Sequence, residues 1–524
     1  MKSKSFGATA GRFAIVMVAM FFTFLLAAFV ALAGPSKWTF LLVGALAALF
    51  LFLFDSERLI FLMGFLVFLV IGQLMYFARI NQALWVPYGL AALLFLRIPS
   101  AYLASPFLKS RLPFPLQFSL GIFFLVLFFS IAINMPPFLQ VVVGGKNLIM
   151  LWSVFLLLAL FSISFKKMEK MLSMLLLMVF LQVPFVLYQY FVVVPTRSTA
   201  GGRRGVAWDA VVGSMGGDPD SGGASGSMAF ILILGMVMAI SLWRYKQIRL
   251  RTVAAIWLAG FLCIGLAEVK VVVVLLPIGM AILYRQDLLK RPLRAVLGGA
   301  VILSLAIGIL AVYSTMYSAG SKKPHDVSQL IDQAFGYSVD THFINFETGE
   351  MGRNAALVFW WEQGFEPDPL RGLLGYGPGA SRSASTLAVG EIAAKYKFGI
   401  DRSTAAQLLW EVGLAGFLAY VFIIGGAALT AMRSVSSFAS STSKAMLEAT
   451  TAGLVMILVM LPYGRDVLEV PALTFTLMCM LGYAAQAQTL RQLAAKKSGY
   501  SRQISGAGST LLITDDDTIK LLKI

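Results

Sequence analysis

Two cysteines and two histidines in 524 residues leave little for disulfide or metal chemistry. Cys263 and Cys479 both lie inside apolar runs, where a thiol packs as a small hydrophobe, so no disulfide framework is expected. No paired acidic or cysteine spacing surrounds His325 or His342, so neither a metal site nor a cofactor is expected. Charge is scarce too. Charged residues make up 13% of the chain against 59% hydrophobic, with mean hydropathy +0.83. A soluble chain of this size could not hide so much apolar surface. The alternating pattern of an outer-membrane barrel is missing, and no internal repeat is visible. The first apolar run, 13–33, is too long for a signal-peptide core and lacks a small-residue cleavage site, so it reads as a retained span.

Apolar runs of about twenty residues recur from end to end, the length a helix needs to cross a bilayer. Lipid is then the solvent, and an all-helical bundle satisfies the backbone. The net charge of +17 sits in short segments: Lys2, Lys4 and Arg12; Lys109 and Arg111; Lys166, Lys167 and Lys170; Arg244, Lys246, Arg249 and Arg251; Arg285, Lys290, Arg291 and Arg294; Arg433 and Lys444; and Arg491, Lys496 and Lys497. That is the positive-inside pattern, and it requires no nucleic acid as partner. It gives about fourteen spans by length, near 13–33, 38–54, 59–77, 84–97, 116–133, 147–164, 171–194, 228–243, 252–267, 270–284, 295–314, 405–431, 447–461 and 470–487. Both termini are then cytoplasmic. One large, partly helical outside loop lies between the eleventh and twelfth spans, and a smaller one lies near 195–227. The expected division is an N-terminal bundle over 1–314, the large loop over 315–404, C-terminal spans over 405–487 and a flexible cytoplasmic tail over 488–524.

Between Ser314 and Thr404 there are eight Lys/Arg and ten Asp/Glu, so the large loop is near neutral. Polar loops this long between spans usually carry a function. Within it lies GYGPGASR, where Gly375, Gly377 and Gly379 give a backbone able to approach a ligand closely and Arg382 follows at once. No Gly-Lys-Ser/Thr follows, so it is not a nucleotide-binding loop of the Walker type. Arg353 and Arg371 of the same loop either serve anions or pair with Glu350, Glu362 and Asp368. The loop ends in RSTAAQLLWEVGLAG. Arg402 stands where this segment becomes a helix, with Ser403 or Thr404 as N-cap. A cation beside free helix N–H groups is an anion site, and snorkelling to lipid phosphates or pairing with Asp401 is the bland alternative. Glu411 lies inside the apolar run, either a functional carboxylate or a buried interhelical hydrogen bond.

Glu268 and Lys270 occupy a tight outside turn between two short spans. They are either a base and a phosphate ligand or a turn that reaches the headgroups. The smaller loop holds Arg203, Arg204 and Asp209, with Arg204 the substrate-binding candidate. Its Asp218 and Asp220 lack EF-hand spacing. Gln182 and Gln189 share one face of their span, as interhelical hydrogen bonding would require.

In order and topology these features resemble the O-antigen ligase and polymerase family of bacterial inner membranes, over about residues 116 to 487. That family has many spans, a large outer loop late in the chain, a Gly-x-Gly-x-Gly-like stretch and a helix re-entering the membrane. The re-entering helix opens with His-Asn/Ser, then nine residues, then Gly-x-x-Gly. Here Ser403, Gly413 and Gly416 match that spacing, while Arg402 stands in place of the histidine. The departure points away from a ligase and toward an exopolysaccharide or O-antigen polymerase. LQVPFVLYQY, AEVKVVVVLLP and GYGPGASR together look most like exopolysaccharide polymerases of Gram-negative bacteria.

The resemblance implies polymerisation of undecaprenyl-pyrophosphate-linked oligosaccharide repeats at the periplasmic face, by inverting glycosyl transfer. Donor and acceptor are both lipid-linked, a flippase and a chain-length-regulating co-polymerase are further partners, and no cofactor is needed. Arg402, Lys270 and one of Arg353 or Arg382 would stabilise the leaving pyrophosphate, and Glu268, or else Asp401 or Glu391, would take the acceptor proton. The rivals are a ligase moving a finished glycan to a lipid or protein acceptor, and a lipid-linked saccharide transporter.

Overall fold

The computed structural model describes residues 51, 53–104, 114–197, 210–220, 222–290, 340–345, 349–383, 388–396, 398–505, 509–513 and 519–523. Among them the chain is mostly helical, with three small antiparallel two-stranded hairpins. It is an all-α, membrane-embedded protein. Seven helical stretches are long and apolar enough to span a bilayer: Ser56–Tyr76, Leu116–Asn134, Phe138–Ala159, Phe165–Thr196, Ser225–Arg244, Thr404–Ser437 and Ser441–Met460. Two shorter apolar helices are Leu250–Leu266 and Val272–Leu283. The expected spans at 13–33 and 295–314 lie outside the described residues, as does almost all of 38–54. Residues 1–62 and 63–524 form two compact units. The described part of the first is a helix start with an Arg58–Asp55 ion pair at 3.7 Å. All that follows concerns the second.

Ser225–Arg244 is hydrophobic on every face. Every residue from Ser227 to Ala239 is buried, the pattern of a helix surrounded by other helices. One stretch runs differently from expectation. The helix placed at 147–164 begins at Phe138. Lys146 and Asn147, polar enough to read as a membrane boundary, are 8% and 4% exposed inside it. The segment after Gln488 continues the last helix, which runs Pro471–Ser505. Ala, Leu, Gln, Arg and Lys are strong helix formers and carry it onward. A hairpin of Ser509–Ile513 with Ile519–Lys523 follows.

The smaller loop also departs from a surface excursion. Residues 210–216 are buried. Buried backbone needs partners, and the two glutamines provide them. Gln189 Oε1 accepts from the N–H groups of Val212 (2.9 Å) and Gly213 (2.7 Å), and its Nε2 donates to Gly213 O (2.8 Å). Gln182 Oε1 accepts from Ser214 N (2.7 Å) and its Nε2 donates to Ser214 Oγ (2.8 Å). These glutamines therefore hold a loop rather than a neighbouring helix. Asp218 and Asp220 both pair with Arg79, the latter at 2.8 Å.

The Thr404–Ser434 helix is 31 residues long, about 46 Å at 1.5 Å per residue and longer than a bilayer core of about 30 Å. It breaks at Gly413, with φ 67° and ψ −175°. That region is open essentially to glycine alone. The break strips the carbonyls of Trp410 and Glu411 of their helical partners. The glycine-rich segment replaces them: Tyr376 N donates to Trp410 O (2.8 Å) and Gly377 N to Glu411 O (3.2 Å). Ser130 Oγ also donates to Glu411 O (2.9 Å), and Asn134 Nδ2 donates to Gly375 O (2.9 Å).

Gly413→Ala should cost at least about 1–3 kcal/mol from backbone strain alone. The new Cβ would also lie 2.3 Å from Leu373 O. Gly426, on the same helix, has nothing within 4 Å of an added Cβ, so Gly426→Ala should be neutral or slightly stabilising. Thermal unfolding of the two variants in detergent checks the contrast.

Candidate functional site

The end of the bundle that carries Gly375 to Arg382 gathers most of the polar chemistry. All three glycines of GYGPGASR have positive φ: 87° at Gly375, 98° at Gly377 and 77° at Gly379. A Cβ at Gly375 would sit 2.4 Å from Glu411 O, and one on Gly144 would sit 2.1 Å from Gly379 N. The close approach that these glycines permit is therefore made to the chain's own helices. Glu411 is fully buried beneath them. Its Oε1 accepts from Ser381 Oγ (2.9 Å) and Gln407 Nε2 (3.3 Å), so it binds loop to helix.

Arg382, a candidate substrate ligand, is held by protein partners. Its Nη1 donates to Val143 O (3.1 Å) and its Nη2 to Glu469 Oε1 (2.8 Å). With the Asn147 amide assigned so that its oxygen faces the guanidinium, that oxygen accepts from both of these nitrogens (3.0 and 3.2 Å) and the amide nitrogen donates to Tyr88 OH (3.0 Å). Glu469 also meets Arg465 Nε at 3.6 Å, and Arg465 Nη1 meets Asp401 Oδ2 at 3.2 Å. Ser383 Oγ completes the chain on Asp401 Oδ1 (3.1 Å). Burial would push the Glu469 carboxyl up, but Arg465, Arg382 and Lys146 hold it below the usual carboxylate range. Burial likewise works against the Arg382 charge, and the carboxylates of Glu469, Glu411 and Asp401 outweigh it, raising its pKa.

The helix start at Arg402 does not offer the free N–H groups expected of an anion site. Thr404 N donates to Gly464 O (2.9 Å), Ala405 N to Leu461 O (2.8 Å) and Ala406 N to Ser403 Oγ (3.2 Å). Ser403 is the N-cap. The half-buried Arg402 lies against Gly399. Asp401, a candidate base, is 1% exposed and engaged by Ser383 and Arg465. Glu391 opens the helix Glu391–Tyr396 and is exposed.

Glu268 and Lys270 do lie in a tight turn between Leu250–Leu266 and Val272–Leu283, with Glu268 at φ 55°. Desolvation lowers the pKa of Lys270; Glu268 opposes that and the Arg353 guanidinium adds to it. Arg353, at the start of the helix Arg353–Trp360, is thus brought into the same neighbourhood, with its guanidinium 3.9 Å from the centre of the Tyr463 ring. Arg204 lies outside the described residues.

Two clusters result, Lys270 with Arg353 and Tyr463, and Arg382 with Glu469, Arg465 and Lys146. Both depend on the connection 461–470. That segment went unremarked in the sequence although it packs Arg465, Asp466 and Glu469 into one short link between spans. Three charges in a link that short were the available signal. Lys146 gave a weaker one, a lone cation at an apparent membrane edge. Asp466 Oδ2 accepts from Ser227 Oγ (3.0 Å), tying the link to the central helix.

Glu469→Gln should destabilise the protein by about 3–5 kcal/mol, because two guanidinium groups lose their shared carboxylate. The sign with pH follows. Glu469 has a depressed pKa, so its contribution is complete above about pH 4.3, the ordinary glutamate value, and is lost as pH falls through the folded value. Wild-type melting temperature should fall on that acid limb, and the Gln variant should lack this component.

No protein-family model matches the chain, and no curated protein matches it.

Proposed function

We propose that the protein is a membrane glycosyltransferase that polymerises undecaprenyl-pyrophosphate-linked oligosaccharide repeats at the periplasmic face of a bacterial inner membrane. The observation that carries the reading is that Lys270 and Arg353, cations from separate segments, lie within electrostatic reach of each other, with Glu268 beside Lys270. Like charges repel, and a site that gathers them suits an anion. The order of motifs from Gly375 to Gly416 supports the same family of reactions.

In this reaction a sugar hydroxyl oxygen of the incoming repeat attacks the anomeric carbon of the growing chain. The new C–O bond forms on one face as the bond to pyrophosphate breaks on the other, with inversion. The departing pyrophosphate keeps the electron pair, and Lys270 and Arg353 stabilise its charge. The reading assigns Arg402, at the end of the same loop, as a third cation for that charge. Glu268, two residues from Lys270, takes the hydroxyl proton. Tyr463 holds the plane of Arg353.

Deleting the protein should make single lipid-linked repeats accumulate on the periplasmic face. Long lipid-linked chains would mean a ligase, and repeats trapped on the cytoplasmic face a transporter. Lys270→Ala and Arg353→Ala should each lower polymer formation by about 10²–10³-fold with the protein still abundant. Arg402→Lys should recover little, since a point charge does not reproduce a planar fork. Arg402→His should fail if the position serves a phosphate and work if it serves as base. Wild-type polymer from both Lys270→Ala and Arg353→Ala would remove the site.

A further inference from the structure

Lys146 is a buried lysine that the reaction above does not use. It is 8% exposed, at the start of a π-helical turn, Lys146–Met150, that interrupts its span. Such turns inside α-helices gather at functional sites. Its Nζ lies 4.4 Å from the centre of the Trp85 ring and 5.1 Å from that of Tyr88. The rings shield one side of the ammonium. An ammonium has three N–H donors and no acceptor capacity. Among the described residues, no hydrogen-bond acceptor and no carboxylate within ion-pairing distance serves them. Glu469 is the carboxylate within electrostatic reach, and Arg382 and Arg465 already hold it. Arg382 is in turn consumed by Val143, Asn147 and Glu469. The cluster thus fixes its guanidinium groups and leaves one ammonium without oxygen partners.

The surroundings describe what supplies those oxygens. Phe138 and Leu139, two turns before Lys146, are 81% and 47% exposed, and Val86, next to Trp85, is 45% exposed. An amphiphile could lay its tail on these groups and its head on Lys146. We propose that Lys146 marks a second phosphate site, which takes the diphosphate of an isoprenoid-linked saccharide. This rests on the polymerase reading: such an enzyme handles two lipid diphosphates, the donor at Lys270 and Arg353 and the acceptor at Lys146. The two clusters share no residue, yet both rest on the 461–470 link, through Tyr463 in one and Glu469 in the other. The link would hold donor and acceptor in register.

The full chain in phosphatidylcholine nanodiscs, titrated with undecaprenyl pyrophosphate and weighed by native mass spectrometry, tests this. Wild type should retain two molecules, Lys146→Met one and Lys270→Ala one. Lys146→Arg, which restores the charge, should recover the second. Lys146→Gln carries the same comparison where the Met variant does not fold. Two molecules retained by Lys146→Met or Lys146→Gln would overturn the site. Displacement of the Lys146-dependent molecule by phosphatidylglycerol would overturn its assignment to an isoprenoid lipid and make it an ordinary headgroup site. The polymerase reading fails separately: the Lys146-dependent molecule then binds as described, but wild type extends no repeats.

Discussion

A helix that stops pairing its own carbonyls inside a membrane must find donors elsewhere, because no water is there to supply them. In this protein the break at Gly413 frees the carbonyls of Trp410 and Glu411, and the N–H groups of Tyr376 and Gly377 take them up. The rest of the loop end follows from that exchange. Gly375 must lack a side chain because Glu411 O occupies the space, and Gly144 must lack one because Gly379 does. Glu411 then meets Ser381, and Arg382 is delivered to Val143 and Glu469. The half-helix before the break is buried over its whole length, which is the condition under which irregular backbone survives at such depth.

The same constraint explains the charges. Arg382, Glu469, Arg465 and Asp401 form a chain of ion pairs across three segments. Removing one member would leave others buried without a partner, which is far costlier than the chain is stabilising. These groups act as a frame that fixes the loop against the bundle. On the other side of the link, the Arg353 guanidinium lies over the Tyr463 ring and within electrostatic reach of Lys270, which Glu268 flanks.

Much of the membrane architecture was legible in the sequence. Hydropathy and charge placement located Ser56–Tyr76, Phe165–Thr196 and Ser225–Arg244 closely, because lipid-exposed or core helices must be apolar throughout. The pair of short helices around Glu268 and Lys270 was also legible, from basic clusters at both ends of a run too short for two ordinary spans. Gly413 and Gly416 were visible as a spacing, but not as a break. What failed was polarity as a boundary marker: Lys146 and Asn147 look like a membrane edge and lie inside a helix. The glycines of GYGPGASR and the helix start at Arg402 were read as facing a ligand, and each spends its freedom or its N–H groups on the chain itself. Sequence shows which groups can approach closely or donate, and only packing decides which partner they meet.

Hydrogen exchange measured by mass spectrometry on the folded protein in detergent tests the central interlock most directly. If the glycine-rich segment completes the broken helix, the amides of Tyr376 and Gly377 should exchange as slowly as those in the middle of Ser225–Arg244, and Gly413→Ala should release them. Exchange of Tyr376 and Gly377 in the wild type at the rate of an open loop would contradict the account.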